Sequence, residues 1–320
     1  MCDAARKKHQ AIVGMLGLNT LACAPAALTL TLMLLTTAAF AQASSSEGST
    51  ELPCPAGKHY EPSSFRRVIS GEVYRQTLTI QGPEWNDTLI QGCTIKDIAG
   101  DGIVVRDVKR LVISGCRIEN VSGSGIRLSS TGSSSGVILD GNEIVSVGEN
   151  GISAAQRSNN GIDHAALKVV NNKIINSGMR SSSGLAHGIY VQTQDFLIEG
   201  NLVSGQRDGN GISVRSSGAV RCNRVEGTST VKKPGIRYFS DHHTGPSKML
   251  LIEKNNIASE SVGIDLAPPV PKKDEPMSLD HVVKGFVIRD NKVQARTTIN
   301  LAPRYHTPPF SVEISETATQ

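Results

Sequence analysis

The residues best able to do chemistry in this 320-residue chain are a tyrosine, a histidine and two arginines that recur at related places in a repeating pattern: Tyr190, His187, Arg215 and Arg237. Arginine pairs bidentately with a carboxylate and stabilises charge developing beside it. A tyrosine or histidine of suitable pKa moves a proton. Together they suit proton abstraction next to a uronic acid carboxylate, leading to β-elimination, or to C5 epimerisation if the proton returns to the opposite face. Arg127, Gln192, Asp265 and Asn300 fall in the same pattern, and Asp241 and His242 on an adjoining loop; these six are expected to bind substrate. The simpler readings are explicit as well. Tyr190 would serve as a stacking platform for sugar, His187 as a hydrogen-bonded turn residue, and the arginines as surface ion-pair partners of Asp208 or Asp265.

Other chemistries fit poorly. Hydrolysis of a glycoside uses two carboxylates flanking the bond, and this group offers only Asp265. Calcium takes six to eight oxygens, and no acidic cluster supplies them, so no cofactor is expected. Asp241-His242-His243 has metal-binding residue types but lacks a spaced third ligand, so no metal is assigned.

The elements that must position these residues come from an internal repeat. Eight units follow the scheme L-x-I-x-G-N-x-I, a turn, then G-I-x-V. One column reads Cys93, Cys116, Asn142, Asn172, Asn201, Asn223, Asn255 and Asn291; another reads Ile103, Ile126, Ile152, Ile189, Ile212, Ile236, Ile264 and Ile299. Side chains alternate along a strand, so the isoleucines and the residues two positions on point inward. The x residues, Val104, Arg127, Ser153, Tyr190, Ser213, Arg237, Asp265 and Asn300, then point outward on one face. A third apolar column, Leu111-Val112-Ile113 and its equivalents, adds another strand per unit.

No such unit buries its own apolar face, and stacking at ~4.8 Å closes a common interior. The expected fold is therefore an all-β right-handed parallel β-helix of about eight to nine rungs, three short strands each, over residues 88–303. Residues 54–87 form a cap segment and 304–320 a C-terminal strand and tail. Asparagine suits the bend between strands, because it tolerates left-handed backbone and its amide bonds to the next rung. Cys93 and Cys116 occupy adjacent rungs, at a spacing a disulfide accepts; stacked thiols, or a bridge from Cys54 to one of them, are the alternatives. A leucine-rich-repeat solenoid fits less well, since its units hold a steadier length than the 22 to 36 residues between these columns.

The repeat resembles the pectate-lyase-like superfamily, in particular its right-handed β-helix group of secreted carbohydrate-active proteins. The resemblance covers Thr88 to about Leu301. It implies that the G-I-x-V sheet and its flanking insertions, 155–166, 177–186, 239–248 and 267–285, hold a polysaccharide. Ala186-His187-Gly188-Ile189-Tyr190-Val191 is similar to a segment in uncharacterised members of that group. The paired aspartates of β-helix polygalacturonases are missing, as is the Asp-Pro-His-Asp signature of mannuronan epimerases. What the resemblance and the residues imply together is a lyase or epimerase acting on an acidic polysaccharide; a non-catalytic glycan-binding or structural β-helix is the alternative, with a glycoside hydrolase third.

Residues 1–41 read as a signal peptide, with Arg6, Lys7 and Lys8 before an apolar stretch ending near Ala41. A retained anchor and a lipid attached at Cys23 are the competing readings. Residues 42–53 form a linker. The expected location is periplasmic or secreted, as a monomer with no membrane attachment after cleavage. The chain carries 33 basic and 29 acidic residues and 4% aromatics, with neither the basic stripe nor the stacking rings of a nucleic-acid protein.

Overall fold

A computed structural model describes residues 58–155, 164–228, 233–240, 248–271 and 278–319, all within one compact unit, Thr50–Gln320. Residues 1–41 and 42–53, read above as signal peptide and linker, lie outside the described residues, as do Cys54, Asp241 and His242. Every strand pairs in parallel with its equivalent one turn away, giving two ten-stranded sheets and one nine-stranded sheet. The chain is an all-β parallel β-helix of nine full turns and a partial tenth. Among the described residues there is no α-helix.

The coil begins earlier than the repeat predicts. Arg67–Ser70, Val73–Tyr74 and Leu78–Gln81 make a complete first turn inside the expected cap segment and pair with the second. Its signal is weak because Glu72 stands where later turns have Cys or Asn, and Thr77 where they have Gly. At the other end Ser311–Ser315 and Ala318–Thr319 extend the first and second sheets.

The isoleucine column is fully buried from Ile103 to Ile264, each side chain contributing about 1.5–3 kcal/mol relative to exposure. Ile299 is half-buried at the end of its sheet. Four aromatic rings gather near the C-terminal end: Tyr238 meets Phe286 edge-on at 5.2 Å, Phe286 meets Tyr305 at 4.9 Å, and Tyr305 meets Phe310 at 5.0 Å.

The asparagine column keeps one part of its expected physics, the amide bond to the next turn, and not the other. The asparagines are not the left-handed residues; those stand one place earlier, at Gly92, Gly115, Gly141, Asn171, Gly200, Cys222, Lys254 and Asp290. Each asparagine instead points inward, and its amide donates to the Oδ1 of the next. The links are Asn142 to Asn172, Asn172 to Asn201, Asn201 to Asn223 and Asn255 to Asn291, all 2.9 Å, with Asn223 to Asn255 at 3.0 Å. The ladder thereby satisfies buried backbone at each corner. Cys93 and Cys116 continue it as a disulfide, with Cα atoms 4.4 Å apart, which excludes a bridge from Cys54 to either.

Glycine precedes every isoleucine of the column except Ile299, which follows Thr298, and it is demanded by space. A Cβ on Gly188 would lie 2.3 Å from Val203 Cγ1 and 2.5 Å from the Gly211 carbonyl oxygen. Backbone there packs directly on the second sheet's inward side chains.

Candidate functional site: an aromatic and arginine stack on the third sheet

The outward x positions share one register, Val104, Arg127, Ser153, Tyr190, Ser213, Arg237, Asp265 and Asn300 on successive turns. Strand alternation puts them on the outer face of the third sheet, the sequence-predicted floor, although Ser153, Ser213 and Asp265 are buried there by their neighbours. The 177–186 insertion lies beside it, before Ile189–Val191. The insertions at 155–166, 239–248 and 267–285 follow strands of the same sheet and are only partly described.

What the floor brings together is a stack. The Arg215 guanidinium lies 4.9 Å from the centroid of the Tyr190 ring and 5.3 Å from that of Phe239. Arg237 lies 5.0 Å from Phe239. Three turns thus supply ring, cation, ring and cation in sequence, each contact within the range where a cation is held by a ring quadrupole. Arg215 is 5% exposed, and its Nη1 donates to Ser213 Oγ at 2.7 Å and to the Val214 carbonyl at 3.3 Å. It supports the surface more than it presents itself. Tyr190, Phe239 and Arg237 are half-buried and form the accessible part.

Phe239 was missed by sequence reasoning, although its signal was present. It stands two residues after Arg237, as Gln192 stands after Tyr190 and Arg215 after Ser213, and that spacing is the signal.

His187 does not stand ready to move a proton. It is 2% exposed, its Nδ1 accepts the Asn210 N–H at 2.9 Å, and its own N–H donates to Asn150 Oδ1 at 2.8 Å. Accepting at Nδ1 leaves the neutral ring's proton on Nε2. Burial, then the charges of Arg215 and Lys233, push its pKa down to about 3. The catalytic expectation for His187 is therefore corrected to the turn role. Its ring also packs on Tyr190, centroids 5.2 Å apart, so it supports that side chain.

The sign of the pH effect follows from that depressed value. Above pH 6.5 His187 is neutral whether folded or unfolded, and it adds no pH dependence. As pH falls from 6.5 toward 3 the unfolded chain takes up a proton that the folded chain refuses, so stability drops. At 1.36 kcal/mol per unit the loss by pH 5 is about 2 kcal/mol. His187→Asn, which keeps an acceptor near Nδ1, is expected to flatten that part of the profile. Urea unfolding between pH 7 and pH 5 measures it; an unchanged slope in the variant would locate the acid sensitivity elsewhere.

The remaining residues divide. Gln192 is buried and its Nε2 donates to the Tyr190 hydroxyl at 2.5 Å, fixing the ring rather than facing a ligand. Arg237 Nε pairs with Asp265 Oδ2 at 3.0 Å, and Asn300 Nδ2 donates to Asp265 Oδ1 at 2.7 Å. Arg127 is several turns away, paired with Asp101 at 2.7 Å. Asp208 accepts the N–H groups of Gly184, Leu185 and Ala186 at 2.9–3.0 Å, so it braces the 177–186 wall. Burial raises its carboxyl's pKa, but hydrogen bonds from Ala186, Gly184, Ser181 and Leu185 outweigh this and hold it below the ordinary range. Among the described residues around the stack, Arg215, Arg237 and Lys233 outnumber Asp208 and Asp265 by one charge. Among the described residues no three His, Cys, Asp or Glu side chains group as metal ligands.

Three stacked parallel sheets with a loop-flanked outer face define a β-solenoid whose scaffold repeats while its surface varies. The sequence matches the family described as right handed beta helix region over residues 78–266, and the chain belongs to that family. Among solved structures it is similar to the Dettilon tailspike protein (gp208), at 12% identity and TM-score 0.42, covering 78% of this chain and 61% of that one. It is also similar to the catalytic domain of a GH87 alpha-1,3-glucanase in complex with nigerose, at 12% identity and TM-score 0.23, covering 82% and 69%. The chain thus spans about three fifths of the tailspike's length. A search of curated proteins finds no match.

Proposed function

We propose that the outer face of the third sheet binds an acidic glycan and holds it without breaking it. The observation that carries this reading is the stack of Tyr190, Arg215, Phe239 and Arg237. Ring faces take up the apolar faces of sugars, and a guanidinium beside them pairs with a uronate carboxylate. The excess of one positive charge among the described residues favours an anion. The side chain best suited to proton transfer, His187, is occupied and neutral, which favours binding over chemistry. Export to a periplasmic or extracellular location fits this role and remains part of the proposal.

Calorimetric titration with polygalacturonate, alginate and chondroitin sulfate, against neutral dextran, tests the reading. Binding to at least one acidic polymer and none to dextran is expected. Phe239→Ala should weaken it about tenfold, equivalent to ~1.4 kcal/mol. Equal affinity for dextran, or no binding to any acidic polymer, would overturn the proposal.

One observation favours a second reading. Tyr190 is half-buried and its hydroxyl is oriented by Gln192; in this reading it takes a C5 proton while Arg237 holds the carboxylate. Elimination or epimerisation would then occur on the same floor. Absorbance from unsaturated sugar ends, with proton exchange at C5, separates the two: turnover that Tyr190→Phe abolishes while binding persists would establish the second reading.

A further inference from the structure

The outer face of the first sheet carries its own cover at one end. Leu89 and Val112 face outward there, yet both are buried. The segment leading into the coil lies against this side. Arg110 on the third turn donates to the Ser64 carbonyl at 2.8 Å and sits 5.2 Å from the Phe65 ring. The Tyr60 hydroxyl donates to Asp140 Oδ2 on the fourth turn at 2.7 Å. Read toward its N-terminus, this segment therefore climbs the coil from the third turn to the fourth.

The same edge stays covered above Tyr60. Asp140, Val170, Glu199 and Arg221 are in register on turns four to seven. Each follows an inward residue, so each faces out; nevertheless Asp140 is 2%, Val170 9% and Glu199 5% exposed. Arg221 pairs with Glu199, and Val170, between Asp140 and Glu199 in this row, is covered as well. Immediately after Arg221 comes Cys222, which is disulfide-bonded, while Cys93 and Cys116 are linked to each other.

We propose that the chain preceding Tyr60 docks along this edge of the first sheet and that Cys54, which lies outside the described residues, is the disulfide partner of Cys222. The reach is sufficient. Three turns from Asp140 to Cys222 span ~14 Å at ~4.8 Å per turn, and the six residues from Tyr60 back to Cys54 extend up to ~20 Å. The bond forms by exchange with an oxidant that carries a disulfide. Two thiols lose two protons and two electrons, and the oxidant's own S–S bond is reduced to two thiols. The occupant of this surface is then the protein's own N-terminal strap, and the third sheet is left as the face for a ligand.

Peptide mapping of the exported chain without reduction is expected to yield two linked pairs, Cys54 with Cys222 and Cys93 with Cys116. Carbodiimide labelling of the native protein adds a structural readout. Glu199 should react at least tenfold more slowly than the exposed Glu313, and its protection should fall in Cys54→Ser. Should that variant fail to fold, mild reduction of the native protein serves equally, because Cys93 and Cys116 are each 1% exposed and should stay oxidised. Cys54 recovered as a free thiol or linked elsewhere, or Glu199 protection unchanged after the bond is cut, would overturn the proposal.

Discussion

Asn201→Ala is expected to lower the unfolding free energy by roughly 2–6 kcal/mol, at one to three for each buried group left without a partner. Asn201 Oδ1 accepts both the backbone N–H and the side-chain amide of Asn172, each at 2.9 Å. Its own amide donates to Asn223 Oδ1 at 2.9 Å and to the Val169 carbonyl at 2.8 Å. Alanine leaves two buried groups, the Asn172 backbone N–H and the Val169 carbonyl, without these bonds, while the Asn172 amide keeps the Leu139 carbonyl and Asn223 Oδ1 keeps the Asn201 backbone N–H. Asn300→Ala, on the exposed end of the floor, should cost less than about 1 kcal/mol. Urea denaturation of the two variants makes the comparison; similar small losses would mean that the ladder is dispensable.

A second large loss is expected from Gly188→Ala, about 3 kcal/mol, at the upper end for overpacking. The added methyl meets Val203 Cγ1 and the Gly211 carbonyl, and that carbonyl is held in place by accepting the Ile189 N–H at 2.9 Å. Gly141→Ala is the informative contrast. A Cβ there has nothing within 4 Å, but φ is +64°, so only the left-handed penalty of about 1–2 kcal/mol applies. A thermal melt in which Gly141→Ala is the more damaging would contradict the packing explanation of the Gly-Ile motif. Because Gly188 precedes the strand bearing Tyr190, its substitution should also weaken glycan binding, whereas Gly141→Ala should leave binding intact.

The coil was legible in the sequence because its physics is periodic. A buried isoleucine must recur at each turn, and strand alternation then assigns Tyr190, Arg237, Asp265 and Asn300 to one outer face. The first turn escaped notice because an unladdered corner at Glu72 tolerates other residues. The asparagine column was found, but its reason was misplaced by one residue, since sequence spacing alone does not separate a left-handed position from its neighbour. The site was less legible than the floor. Whether His187 faced solvent depended on Asn210 folding back onto its Nδ1, a contact across 23 residues that no local pattern announces. Whether Arg215 presented its charge depended on two rings closing over it. Asp241 and His242 fall outside the described residues, and their assignment to substrate stays a proposal.

The claim that the stack is an acidic-glycan surface is tested most directly by affinity electrophoresis through gels containing polygalacturonate, alginate or neutral dextran. The account predicts retardation of the native protein by an acidic polymer alone. Arg237→Ala should migrate freely, and raising the salt concentration should weaken retention of the native protein. Unretarded migration in every acidic gel, or retardation that survives Arg237→Ala and is matched in dextran, would contradict it.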